Sequence, residues 1–272
     1  MLNEKANFRL KHVDEHLYEP QGFNNERLQL LQDRIVAMQS NYDALFLRLE
    51  SYTEAKGIST WFHILKIQEL KHWFYNRSKL EYIASHPPYD DGRMGLMVKR
   101  VLSAMYVLIS DHPELIRWYS GIDQHFDSVA IENTKSEDFY TKQFFLALRG
   151  EWDLLLERYE RLLADPPTSS RAKKFMIDHH FYAALAKGDE IGMKTAIKEL
   201  ITPKAIVNRV GLESGYSADL LRTPAIIYSK LAWRHGYEII VDSPYIPKEW
   251  LPIKPLGIYE DAFDFMKAYT VE

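Results

Sequence analysis

The 272-residue chain contains no cysteine. Disulfide bonds, thiolate nucleophiles and metal sites that depend on cysteine ligands are therefore excluded. No stretch approaches the roughly 18 continuous apolar residues of a membrane-spanning helix. The first ten residues alternate charged and apolar side chains, unlike a signal peptide. We therefore expect a cytoplasmic protein without membrane association.

The chain also lacks an excess of basic residues, since 34 Lys and Arg face 38 Asp and Glu, for a formal charge of −4. A nucleic-acid-binding protein normally carries a basic excess on one face. The composition therefore predicts no nucleic-acid partner, and its mild acidity suits association with a basic protein.

The usual sequence motifs of enzymes are missing: there is no glycine-rich phosphate loop, no serine elbow and no dinucleotide fingerprint. His12-Val13-Asp14-Glu15-His16 matches the inverted zinc-protease pattern, but its polar setting near the chain end favours a solvated N-terminal segment. We predict a protein that is not an enzyme and has no catalytic residues, metal or cofactor.

Asp178-His179-His180 has the composition of a phosphoesterase metal triplet, but it lies in a helical run without the partner motifs of such a site. We interpret the triplet as a chance match. On a helix, Asp178 and Tyr182 share a face, which leaves a local polar contact and an exposed binding edge both open.

Apolar residues recur at helical spacing through the first half of the chain. They predict a long helix over residues 26–55, capped by Asn24 or Asn25, and a second helix from Ser59 or Thr60 to the prolines at 87 and 88. A turn at Lys56-Gly57-Ile58 would join the two helices as an antiparallel hairpin. An apolar run over residues 94–109 predicts a third helix, and Pro113 suits the first turn of a short fourth one.

Residues 121–135 are polar and irregular, which indicates a subdomain boundary. We predict an N-terminal segment over residues 1–22, a helical bundle over residues 23–120, and C-terminal helical hairpins over residues 121–272. The two larger parts are expected to pack as one body.

Two sites in the second half share a pattern in which an apolar helix ends in a basic residue, a glycine and an acid. Arg149-Gly150-Glu151 and Lys187-Gly188-Asp189 are 38 residues apart, and a degraded third copy contains Gly236. Glycine suits the left-handed residue that ends a helix, and the charges suit the two helix termini. The pattern predicts stacked, tetratricopeptide-like hairpins in an all-α fold; independent helices that are capped alike remain the alternative.

Residues 243–256, called the strap below, contain Pro244, Pro247, Pro252 and Pro255. These prolines exclude a helix interior because they lack the amide donor. Tyr, Trp, Ile and Leu side chains make the segment more apolar than a solvated linker. We therefore expect the strap to lie against the body of the protein as a structural clamp.

The strap, the preceding Leu231-Ala232-Trp233 and the following Tyr259-Glu260-Asp261-Ala262-Phe263-Asp264-Phe265 together resemble the C-terminal signature of the immunity protein 49 family of bacterial polymorphic toxin systems. The resemblance is tightest over residues 228–265 and extends loosely back to Phe175. It implies an all-helical protein that binds and neutralises a cognate toxin inside the producing cell.

A toxin such as a nuclease would present basic groups, so acidic residues at loops are candidates for the contact. We predict that Asp90, Asp91, Glu137 and Asp138 bind the partner, because they flank predicted loops. Two other functions stay open: a helical-repeat scaffold that binds a protein or peptide, and a helical metal-dependent hydrolase with a site assembled from distant residues. The sequence does not specify the toxin or the oligomeric state.

Overall fold

A computed structural model describes residues 3–38, 41–89 and 97–272. Within these ranges the chain forms α-helices, short 3-10 helices and loops, and it contains no β-strand. The all-α fold class predicted from the sequence is confirmed.

The first part of the chain contributes a set of helices with these bounds: α1 (Glu4–Tyr18), α2 (Asn25–Val36), α3 (Tyr42–Ile64), α4 (Ile67–Ala84), α5 (Met97–Ser110) and α6 (Pro113–Ser120). Asn24 caps α2 by accepting a hydrogen bond from the Arg27 amide at 2.9 Å. Pro113 is the first residue of α6, as predicted.

Helix α1 is amphipathic and packs against α3. Its buried side chains recur every three or four residues and are Ala6, Leu10, Val13 and Leu17. Asn3 caps the helix by accepting a hydrogen bond from the Ala6 amide at 2.9 Å. The prediction of a solvated N-terminal segment is wrong for these residues, because burial of one apolar stripe holds them on the body of the protein.

The predicted break at Gly57 is also wrong. Helix α2 ends earlier, at Val36. Helix α3 then begins at Tyr42 and continues through Gly57 to Ile64. A Cβ atom at Gly57 would lie 2.7 Å from the Phe74 ring of α4, so this glycine allows the two helices to approach closely. The antiparallel hairpin forms instead around Leu65, whose φ of 56° ends α3.

The second part of the chain contributes α7 (Glu137–Arg149), α8 (Trp152–Ala164), α9 (Ser170–Lys173), α10 (Met176–Lys187), α11 (Glu190–Leu200), α12 (Pro203–Asn208) and α13 (Thr223–Arg234). Short 3-10 helices are found at Ile122–His125, Ala130–Glu132, Val210–Leu212, Lys248–Trp250 and Asp264–Ala268. The segment predicted to be irregular, residues 121–135, contains the first two of these.

Three glycines end helices with the same turn, as the repeated sequence pattern predicts. Gly150, Gly188 and Gly236 have φ values of 73°, 67° and 87°. After each one, the next amide donates to a carbonyl five residues earlier, at 3.0, 2.8 and 3.0 Å, which is the Schellman arrangement. The first two turns join α7 to α8 and α10 to α11 as hairpins. The third turn leads into a non-helical segment, because the strap follows.

The strap lies against the helices, as predicted. Ile246, Trp250 and Leu251 are each at most 2% exposed. The Trp250 ring is 5.7 Å from Trp61 of α3 and 5.7 Å from Phe74 of α4, both in edge-on contacts. Such burial of a large aromatic side chain stabilises the attachment of the strap to the α3–α4 hairpin.

Two buried lysines fasten the strap to the helices through one aspartate. Lys71 of α4 donates to Asp111 and to the Lys254 carbonyl, each at 2.6 Å. Lys230 of α13 donates to Asp111 and to the carbonyls of Trp250 and Pro252, each at 3.0 Å. These carbonyls are available because the prolines keep the strap out of a helix. Burial lowers the pKa of Lys230 to about 8.

Candidate functional site

Of the four predicted partner-binding residues, Asp90 and Asp91 lie outside the described residues. Glu137 and Asp138 are the first two residues of α7, where the helix dipole favours carboxylates. Ser136 caps this helix by accepting a hydrogen bond from the Phe139 amide at 3.1 Å. The helix dipole therefore explains why both acids lie at this helix end, whether or not they also bind a partner.

Asp127 adds a third carboxylate to this end of α7. Burial raises the pKa of Asp138, and the nearby charges of Asp127 and Glu137 raise it further. We call Asp127, Glu137 and Asp138 the acidic cluster. Asp127 accepts hydrogen bonds from the amides of Val129 and Ala130 at 2.9 and 2.7 Å. A basic group placed near Asp138 would offset the effect of its two acidic neighbours, which is the electrostatic property that favours a basic partner.

The side chain of Val129 is 79% exposed, on the loop that Asp127 holds in place. An exposed apolar residue beside a patch of one charge is a common arrangement in protein interfaces. Sequence reasoning missed Asp127 because it lies ten residues before Glu137, and only the fold of residues 121–135 brings them together. The available signal was that an aspartate in a polar loop often accepts hydrogen bonds from the amides two and three residues later, as Asp127 does.

Two further acidic residues, Glu132 and Asp261, form ion pairs within the protein. Glu132 contacts Arg158 and Arg161, with the Arg161 ion pair at 2.7 Å. Asp261 accepts from the Lys79 ammonium at 2.8 Å and the Tyr75 hydroxyl at 3.0 Å. These carboxylates stabilise the fold, and they are less available to an external partner.

The zinc-protease pattern in α1 does not form a metal site. The His12 and His16 rings are 4.3 Å apart, but His16 Nδ1 lies 2.8 Å from the Tyr216 hydroxyl. Asp14 is hydrogen-bonded to Ser59 and His63, each at 2.9 Å. Across the described ranges, no three His, Cys, Asp or Glu side chains are arranged to hold a metal ion.

Asp178 and His179 of the triplet are buried, whereas His180 is exposed and its Nδ1 lies 2.7 Å from the Tyr159 hydroxyl. Asp178 is fully buried, and its two carboxylate oxygens accept hydrogen bonds from the two terminal nitrogens of Arg209, each at 2.6 Å. It also accepts the hydroxyl of Tyr228. Tyr182 reaches Asp178 only through Tyr228, at a hydroxyl separation of 3.2 Å. Of the two interpretations left open, the local polar contact is therefore closer to the structure.

His179 is also buried, between the rings of Phe139 and Tyr140. Burial lowers its pKa to about 3, so the imidazole is neutral at physiological pH. Asp178 and His179 join α10 to α7, α13 and the segment after α12, and both residues belong to the core.

Two grooves are open on the surface of the described residues. One, of about 810 Å³, lies between α1 and α2 and is lined by charged side chains of both signs, including Glu15, Arg27 and Arg48. The other, of about 460 Å³, lies between the end of α3 and the chain that leads into the strap. Trp61 and Phe62 form its helical wall, and residues 240–249 contribute the opposite wall.

The chain is thus an all-α protein of helical hairpins that a C-terminal strap closes. Residues 140–250 match the model of the family Immunity protein 49. This match supports the resemblance to that family that the C-terminal residues suggested. The matched segment includes the Asp178 network and Trp250, and the predicted signature beyond residue 250 lies outside it.

No curated protein and no solved structure matches the chain. Among the described residues, the helices are too short or too polar to cross a membrane.

Proposed function

We propose that the protein binds a cognate bacterial toxin in the cytoplasm of the producing cell and neutralises it by occlusion. The toxin would be held in a stoichiometric complex that blocks its active site or a surface it needs. The protein would perform no catalysis and use no cofactor. The match of residues 140–250 to the immunity protein 49 family carries this proposal.

The acidic cluster supports a basic toxin, such as a nuclease, as the partner. Asp127 and Glu137 both raise the pKa of Asp138 in the first turn of α7, and the exposed Val129 lies two residues after Asp127. Steering by such charges speeds the association of oppositely charged proteins. We propose Glu137 and Asp138 as partner-binding residues together with Asp127, and we retain Asp90 and Asp91 from the sequence prediction.

The direct test is rescue of cells that express the toxic domain encoded beside this chain's gene. Co-expression of the protein should restore growth, and the two proteins should copurify. Co-expression of a variant that folds but lacks the acidic cluster should restore growth less well. Failure to rescue against every adjacent toxin domain would contradict the proposal.

A further inference from the structure

The segment that leads into the strap has the features of a β-strand without a neighbour. Along residues 238–242 the side chains alternate between exposed and buried, which is the period of an extended chain. Ile239 and Val241 are 4% and 5% exposed, whereas Ile240 between them is 46% exposed. The segment is rich in β-branched residues, which favour strands.

The backbone of this segment has unused hydrogen-bonding groups. The Ile239 carbonyl accepts from the Trp233 indole at 3.2 Å. Beyond it, the amides and carbonyls of Ile240, Val241 and Asp242 have no hydrogen-bond partner within the described residues. Such a row of free donors and acceptors is a template for strand addition by another chain.

The surroundings of the segment fit an extended peptide. Residues 240–243 form one wall of the 460 Å³ groove whose other wall contains Trp61 and Phe62. The aromatic wall offers apolar surface to a side chain that projects from the added strand. The described residues contain no β-strand, so no strand of this protein competes for the edge among them.

The charges of the exposed positions restrict the partner. The segment presents Glu238, Ile240 and Asp242 on its exposed side, an apolar residue between two acids. On the same groove, Lys248 and Glu249 are neighbours of opposite sign. Opposite charges that face each other across two paired strands stabilise the pair, and like charges destabilise it. The complementary strand therefore carries two basic side chains four residues apart, with an apolar side chain midway between them on the same face.

We infer that residues 238–242 are an edge to which an extended segment of the toxin adds as a β-strand, placing basic side chains opposite Glu238 and Asp242. This inference rests on the proposed function, since it names the toxin as the partner. It assigns that function a second contact, which is separate in sequence from the acidic cluster.

The test uses the full-length protein and the purified toxin domain encoded beside its gene. Hydrogen exchange in the complex should show slowed exchange for the amides of Ile240 and Asp242, because alternate residues of a strand direct their backbone groups to the same edge. The E238K/D242K variant should bind about tenfold more weakly, since two attractive pairs become repulsive. The matched control E157K/E160K changes the net charge equally on the exposed face of α8 and should bind like the unaltered protein.

A backbone test separates strand addition from a side-chain contact. I240P removes one amide donor, whereas I240A removes most of the side chain and keeps the donor. The proline variant should bind more weakly than the alanine variant at equal melting temperature. Binding of the toxin without protection of the Ile240 and Asp242 amides, and with equal affinity for E238K/D242K and E157K/E160K, would overturn the inference alone. Absence of any binding by the unaltered protein would overturn the proposed function, and this inference with it.

Discussion

Lys230 and Asp111 form an ion pair in which both side chains are fully buried, with Nζ 2.9 Å from Oδ1. The two residues are 119 positions apart in the sequence. Because the same ammonium donates to two carbonyls of the strap, the pair couples α13 to the C-terminal segment. The strap is thus held by buried charge as well as by the apolar contacts of Trp250.

Replacing Asp111 with Asn should destabilise the protein by about 3 kcal/mol, because two buried ammonium groups lose their counter-charge. Asparagine tolerates the φ of 57° at this position, so the effect isolates the charge. Urea unfolding at pH 7 measures the change. Trypsin should also cut the native D111N variant more rapidly after Lys248.

The control for this experiment is D165N, which removes an exposed ion pair with Lys135. Exposed pairs contribute about 0 to 1 kcal/mol. Equal free energies of unfolding for D111N and D165N would show that the buried pair does not fasten the strap.

Stability should fall as pH rises toward neutrality because of Glu213. Burial raises the pKa of this carboxyl from an ordinary value of 4.5 to about 7. Between these values the folded state holds a proton that the unfolded state releases, so the contribution is complete below about pH 4.5 and is lost as pH rises through about 7. Urea unfolding at pH 5 and pH 8 should show a smaller loss for E213Q than for the unaltered protein.

Gln at position 213 retains a carbonyl acceptor for the Thr223 amide, which donates to Glu213 at 3.0 Å. The exposed substitution E157Q is the control and should leave the pH dependence unchanged. If E213Q and E157Q lose stability equally between pH 5 and pH 8, Glu213 is not the group that titrates.

Replacing Gly57 with Ala should destabilise the protein by about 1 to 3 kcal/mol, although alanine is the better helix former. The new Cβ would meet the ring of Phe74, which is fully buried and packs edge-on against the rings of Tyr106 and Trp250. Gly211 has no atom within 4 Å of such a Cβ, so G211A is the matched control. Melting temperatures measure both variants. A G57A protein as stable as G211A would contradict the close approach of α3 and α4.

Reversing the charges of the acidic cluster should slow association with a basic toxin and reduce its sensitivity to salt. The D127K/E137K/D138K variant makes this change. The control D153K/E157K/E160K reverses three exposed acids of α8. One of them, Asp153, lies in the first helical turn, so the control loses a similar favourable interaction with the helix dipole. Association rates at low and high salt measure the effect. Equal rates for both triple variants would exclude the acidic cluster from the contact.

The elements that sequence reasoning predicted well depend on local chemistry. Gly150, Gly188 and the prolines of the strap determine backbone geometry within a few residues, and their turns were predicted correctly. Gly57 was misread because its role is a contact between two helices, which has no local signal. Helix α1 was not recognised as a packed helix, although its apolar spacing is visible in the sequence, because its polar setting near the chain end indicated a solvated segment.

The polar contacts were less accessible to prediction. Asp111 meets Lys71 and Lys230 across 40 and 119 residues, and a single sequence does not reveal such pairs. Glu137 and Asp138 were chosen as partner-binding residues from the sequence, whereas Asp127 was added only from the fold. The function was inferred from the resemblance to a family. The composition and motifs of the chain agree with that function but do not predict it by themselves.

The most direct test of the central claim is a titration of the purified toxin domain with this protein, following the toxin's own activity. The account predicts that activity falls linearly and ends at a fixed stoichiometric ratio, with the toxin released intact and active when the complex is dissociated. Full toxin activity at a large excess of this protein would contradict it. Loss of activity at substoichiometric amounts, with a chemically altered toxin, would contradict it as well, because the protein would then act as an enzyme.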